Sequence, residues 1–206
     1  MNSTKLQCCI YKIYLGAMFA AIILSVPLAL TLPLELSFEN GLIENAQVVI
    51  LLLGAVLILI PRAEDVQFKW FQRLFAAGLV LMTLRELSWG RVFFPLKMKP
   101  MGPSFISMAD YEYRIQVYIF LAVYVATMIF MLIRFVPVKR ILRSRQPLAL
   151  FAVMILSIIF SYVGEHGYFI GKACGQLLEE IDELILYMTL PALNFYYMWQ
   201  QKKTSS

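Results

Sequence analysis

A chain of 206 residues that is 61% hydrophobic and only 15% charged, with a mean hydropathy of +0.73, is too apolar for an ordinary soluble domain. Its net charge of +5 sits on short segments between apolar runs, which excludes the continuous basic face of a nucleic-acid binder. Three cysteines, two of them adjacent at Cys8 and Cys9, supply no disulfide framework.

Six stretches are long enough to cross a hydrocarbon core of about 30 Å as helices: 14–32, 42–60, 70–89, 115–136, 147–167 and 183–199. The expected fold is all-α, a polytopic bundle of about six transmembrane helices that forms one integral membrane domain over 1–206. The first stretch follows Lys5 and Lys12 and meets no small-x-small cleavage site before Pro33, so it reads as a retained signal anchor. Along the second, Asn40, Glu44, Gln47, Leu51 and Gly54 recur in steps of three and four. They form a polar stripe that deepens into a small-residue stripe, and this face is expected to point into the bundle.

On the third stretch Thr83, Glu86 and Gly90 share a face, while Arg85 is rotated from them by roughly 100°. The connection from Gly90 to Arg114 is the longest in the chain, broken by Pro95, Pro100 and Pro103 and charged by Lys97 and Lys99, so it reads as a lid or a docking segment. Ser157, Ser161 and Glu165 stripe the fifth stretch, with His166 beside them. Gly164, Gly167, Gly171 and Gly175 then suit a re-entrant or surface helix packed closely on the bundle. On the last stretch Glu180, Glu183, Tyr187 and Asn194 lie on one stripe, which Pro191 is expected to bend.

Charge sets the expected orientation. Basic residues cluster before the first stretch, between the second and third, between the fourth and fifth, and at the end, which places both termini in the cytoplasm by the positive-inside rule. Of the thirteen acids only Glu64 and Asp65 fall on that side, so eleven face the other leaflet. An ionised carboxylate at membrane depth is costly and usually functional. Glu44, Glu86, Glu180 and Glu183 are therefore the candidate catalytic groups, with Arg85, Arg91, Trp89 and Tyr187 as candidate substrate contacts.

Three readings of this constellation stand side by side. Paired carboxylates in unlike environments can divide acid and base roles, and guanidinium groups can grip a phosphate, which suits an enzyme acting on, or a protein binding, a lipid or lipid-linked substrate. The same residues suit a non-catalytic subunit held by buried ion pairs and docked to a membrane-protein partner. Intramembrane acids also suit an ion- or proton-coupled transporter, although no inverted repeat is visible. A divalent metal has weak candidate ligands in Glu180, Glu183 and His166, since neither H-E-x-x-H nor a cysteine cluster occurs. Ser88 lacks the G-x-S-x-G context of a hydrolase nucleophile.

Three blocks carry a resemblance. They are Gly41-Leu-Ile-Glu44-Asn-Ala-Gln47, Arg85-Glu86-Leu-Ser-Trp89-Gly90, and Glu179-Glu180-Ile-Asp-Glu183-Leu with Tyr187. Together they cover about a fifth of the chain, and they resemble an uncharacterised family of bacterial multipass inner-membrane proteins. The resemblance implies a bacterial inner membrane and a site at these blocks, and it implies no reaction.

Overall fold

Long runs of Leu, Ile, Val, Ala and Phe satisfy their backbone groups internally only as helices, and the prolines between them set the ends. The computed structural model describes residues 3–60, 65–99 and 102–205. Among these the helices are α1 (Ser3–Thr31), α2 (Leu42–Leu59), α3 (Val66–Glu86), α4 (Arg114–Phe135), the short α5 (Val138–Arg143), α6 (Leu148–Glu165) and α7 (Gly171–Ser205). Asp65 starts α3, its carboxylate accepting from the Gln67 N–H at 2.7 Å as an N-cap. Val136 is extended because it precedes Pro137, and there α4 stops.

Four segments are long and apolar enough to cross a membrane: Cys8–Thr31, Leu42–Leu59, Arg114–Phe135 and Leu148–Glu165. The other two expected spans are helical but more polar. α3 carries Gln67, Lys69, Gln72 and Arg73 in its first half, and α7 carries Glu179, Glu180, Asp182, Glu183 and Asn194. The polarity of α7 matches its position, because α1, α2 and α6 all pack against it, while α3 packs on α2 and α4 on α3.

The interior of this bundle is more polar than its flanks. Ser25, Gln47, Gln72, Thr83, Ser157, Asp182, Thr189 and Asn194 are buried, whereas Ile23, Leu53, Val56, Ile133, Leu148 and Ile159 project outward. No residue of α4 is buried, and it touches the rest mainly through Tyr124, whose hydroxyl donates to the Ala77 carbonyl at 3.0 Å, and through Phe135 stacked on Trp70.

The helices run alternately up and down, which brings both ends of the chain to one end of the bundle. There Tyr11 packs on Tyr196, Tyr197 donates to Gln146 at 2.6 Å, and Arg140 pairs with Asp65 at 2.6 Å. At the other end the Gln176 amide donates to the Ser37 carbonyl at 2.8 Å.

Three local features refine the sequence reading. The connection after α3 is not irregular throughout: a 3-10 segment, Ser88–Phe93, leads into an antiparallel hairpin of β1 (Pro95–Lys99) and β2 (Gly102–Phe105), with Lys97 opposite Ser104 and a register shift between Pro95 and Lys97. The glycines before the last stretch build no separate surface helix, since α7 starts at Gly171 and continues without a break. α7 also remains helical through Pro191, whose ring lies against α2 where Gly54 leaves room; a Cβ at Gly54 would come within 2.7 Å of Pro191 Cγ.

Candidate functional site

The end of α3 sets the site. Glu86 and Arg85 are neighbours about 100° apart around the helix, so one side chain turns inward and the other outward. Glu86 is 7% exposed, and the Arg85 side chain is 56% exposed. Beyond them Ser88, Trp89 and Gly90 all take positive φ, of 46°, 58° and 90°, which turns the chain sharply away from the helix axis. Only Gly90 adopts that region at no steric cost.

From α7 come Glu183 and Tyr187, one helical turn apart and so on one face. The fully buried Tyr187 hydroxyl donates to Glu86 Oε1 at 2.6 Å and accepts from Arg85 Nη1 at 3.0 Å. Arg85 Nη2 donates to Glu183 Oε1 at 3.0 Å, and Arg85 Nη1 lies 3.6 Å from Glu86. One guanidinium therefore ties two carboxylates and a phenol into a chain that bridges α3 and α7.

Glu180 stands one turn before Glu183 and meets α2. The buried Gln47 amide donates to both the Glu180 carbonyl and Glu180 Oε2, each at 3.0 Å. Gln47 Oε1, also buried, has no donor. Glu44, a turn nearer the helix start, accepts from the Asn40 N–H. Glu44, Glu179 and Glu180 are close enough to Glu86 and Glu183 to interact electrostatically with them. The cluster thus gathers five mutually interacting carboxylates, two of which, Glu86 and Glu183, pair with Arg85, the one cation that ion-pairs with any of them among the described residues. A buried carboxylate without a partner costs several kcal/mol, so such a site favours protons, cations or hydrogen-bond donors.

The remaining candidates sit elsewhere. Arg91 is used by the loop, donating from Nε to the Ser88 carbonyl and from Nη1 to the Ile106 carbonyl, both at 3.1 Å. Trp89 is half-buried and contributes no hydrogen bond to the cluster. Glu165 and His166 are exposed at the end of α6, where His166 Nδ1 meets the Tyr162 carbonyl at 3.0 Å and the ring stacks on Tyr168. Among the described residues no three His, Cys, Asp or Glu side chains are arranged to hold a metal, so Glu180, Glu183 and His166 do not form a ligand set.

One contributor lies outside the sequence candidates. Gln47 positions Glu180, and its place on the inward stripe of α2 is the only hint of this that the sequence carries. Asp182, though fully buried on α7, does not join the cluster. Its neighbours on the same helix face, Leu178 and Ile185, pack with Met18, Ile22 and Val153 of α1 and α6, away from Arg85.

Comparison of the chain with protein-family models, with curated proteins and with solved structures finds no match.

Proposed function

We propose that this chain is a six-span protein of the bacterial inner membrane, with both termini cytoplasmic, whose acidic cluster in the outer leaflet binds a lipid or lipid-linked molecule. The observation that carries the proposal is a charge imbalance: Arg85 ion-pairs with Glu86 and Glu183, while Glu44, Glu179 and Glu180, which interact with those two, make no ion pair among the described residues. The orphaned Gln47 Oε1 beside Glu180 adds an acceptor in want of a donor. Both guanidinium groups once available for a phosphate are occupied, Arg85 by Glu183 and Tyr187 and Arg91 by carbonyls. The complementary ligand is therefore a head group rich in N–H or O–H donors, an amine or a polyol, rather than a bare phosphate.

The second reading is a non-catalytic membrane subunit, favoured by the Arg85 bridge from α3 to α7, since buried ion pairs serve as register devices. Two pairs of substitutions separate these readings. Glu44→Gln with Glu180→Gln removes charge without stranding Arg85, and Glu86→Gln with Glu183→Gln strips Arg85 of both its charged partners. Native mass spectrometry of the purified protein would record co-purified lipid, with elemental analysis for metal. Loss of bound lipid in the Glu44/Glu180 pair, with the folded yield unchanged, supports the ligand site. Unchanged lipid in that pair, together with loss of folded protein in the Glu86/Glu183 pair, supports the structural subunit.

A further inference from the structure

The end of the bundle that carries the termini holds a cavity of about 470 Å³, well within the roughly 300–1,000 Å³ typical of small-molecule pockets. One side is formed by Lys139, Arg140 and Arg143 of α5 with Ser144 after it, and facing them are Phe68 of α3 and Tyr197 of α7. The three cations differ in how far they are committed. The Arg140 guanidinium lies 5.2 Å from the centre of the Phe68 ring, and its Nη1 meets Asp65 Oδ2 at 2.6 Å, so it is fixed and partly neutralised. Despite the opposing effect of burial, the Gln67 N–H and Arg140 together hold the Asp65 carboxyl below its ordinary value, which keeps that pair ionised. Lys139 and Arg143 are exposed and ion-pair with no described carboxylate.

The basic residues of α5 are flanked in the chain by exposed apolar ones. Val138, Leu142 and Leu148 project outward beside the basic residues. Lys139 and Arg143, with no ion pair to a described carboxylate and flanked in the chain by a rim of exposed Val138 and Leu142, suit a molecule that carries an anion on a hydrocarbon body. A soluble anion would use the cations and leave the rim idle.

We propose that this cavity binds the phosphodiester head group of an anionic membrane phospholipid. Lys139 and Arg143 hold the phosphate oxygens, Arg140 on its Phe68 and Asp65 support forms the fixed back of the site, and the acyl chains run along the apolar rim. The site is independent of the acidic cluster, which lies at the opposite end of the bundle, and either one can fail without the other.

The test uses the full-length protein equilibrated in mixed micelles of phosphatidylglycerol and phosphatidylcholine and read by native mass spectrometry. The wild type is expected to retain phosphatidylglycerol in preference to phosphatidylcholine. Lys139→Gln with Arg143→Gln is expected to weaken that retention on the order of tenfold or more, since each basic residue near a membrane surface contributes about fivefold. Lys172→Gln, at the other end of the bundle, removes one positive charge and leaves retention unchanged. Equal retention in the double variant and the wild type overturns the site. Displacement of the lipid by glycerol phosphate, or equal binding of glycerol phosphate in the absence of lipid, overturns the lipid as the source and assigns the cavity to a soluble anion. Should the double variant fail to fold, Lys139→Gln alone is read, with a loss of about fivefold expected and no loss counting against the proposal.

Discussion

The Tyr187 hydroxyl serves two partners, donating to Glu86 and accepting from Arg85, at a position with no access to solvent. Tyr187→Phe keeps the ring and its packing against Leu51 and Leu79 but deprives Glu86 of its donor. A buried acceptor left unsatisfied costs about 1–3 kcal/mol, and a charged one costs more. The variant is therefore expected to melt at a lower temperature than wild type in detergent, by an amount equivalent to at least about 1 kcal/mol. Glu86→Leu combined with Tyr187→Phe should cost less than the sum of the two separate changes, because either change alone already removes the hydrogen bond between them. Strict additivity in thermal melts would mean that the phenol and the carboxylate do not communicate. Glu86 and Tyr187 both stand out in the sequence as polar residues in apolar stretches. Their pairing does not, because it depends on the rotation of α3 against α7, which no spacing within either helix encodes.

At the scale of the elements, the approach of α6 to α7 rests on two glycines. A Cβ added to Gly164 would lie 2.6 Å from the Gly175 carbonyl oxygen, and a Cβ on Gly175 would press on the Gly164 carbonyl in return. Both obstructions are backbone, which cannot swing aside as a side-chain tip can. Gly175→Leu is expected to destabilise the fold by about 1–3 kcal/mol or more through overpacking. Gly16→Ala in α1, where nothing lies within 4 Å of the new Cβ, should stay within about 0.5 kcal/mol of wild type. Equal melting temperatures for the two variants would show that the helices part without cost.

The glycine spacing signals close packing in the sequence, and the inward stripe of Gln47, Leu51 and Gly54 is legible in the same way, because both follow the helical period and each of those three residues is buried. What the sequence does not disclose is continuity. A helix that starts at Gly171 and runs past Pro191 depends on neighbours that compensate for each break, and Gly54 beneath the Pro191 ring is one such neighbour. The hairpin after α3 was hidden for a related reason: prolines at 95 and 103 weaken any strand pattern, and its pairing is carried by cross-strand bonds such as Ser104 Oγ to the Lys97 carbonyl at 3.0 Å.

At the scale of the whole molecule, apolar helices surround a polar one. α7 is too polar to count among the apolar spans, yet α1, α2 and α6 cover it. A polar helix sheathed in this way can cross a bilayer, since its amides and carboxyls face protein rather than lipid. The number of crossings is then testable by labelling single cysteines with a membrane-impermeant maleimide in right-side-out spheroplasts. In a background with Cys8, Cys9 and Cys174 replaced, Ser104→Cys is expected to react from outside, and Ser144→Cys only after permeabilisation. The helices between those positions are α4 and the six-residue α5, so labelling of both from one side would mean that α4 does not cross. Restored Cys174 compared with Gln200→Cys puts the same question to α7. Opposite accessibility means that α7 crosses, with the acidic cluster and the basic cavity at opposite faces of the membrane. Accessibility of both from outside would leave α7 short of a full crossing and expose the acidic cluster and the basic cavity to the same aqueous compartment.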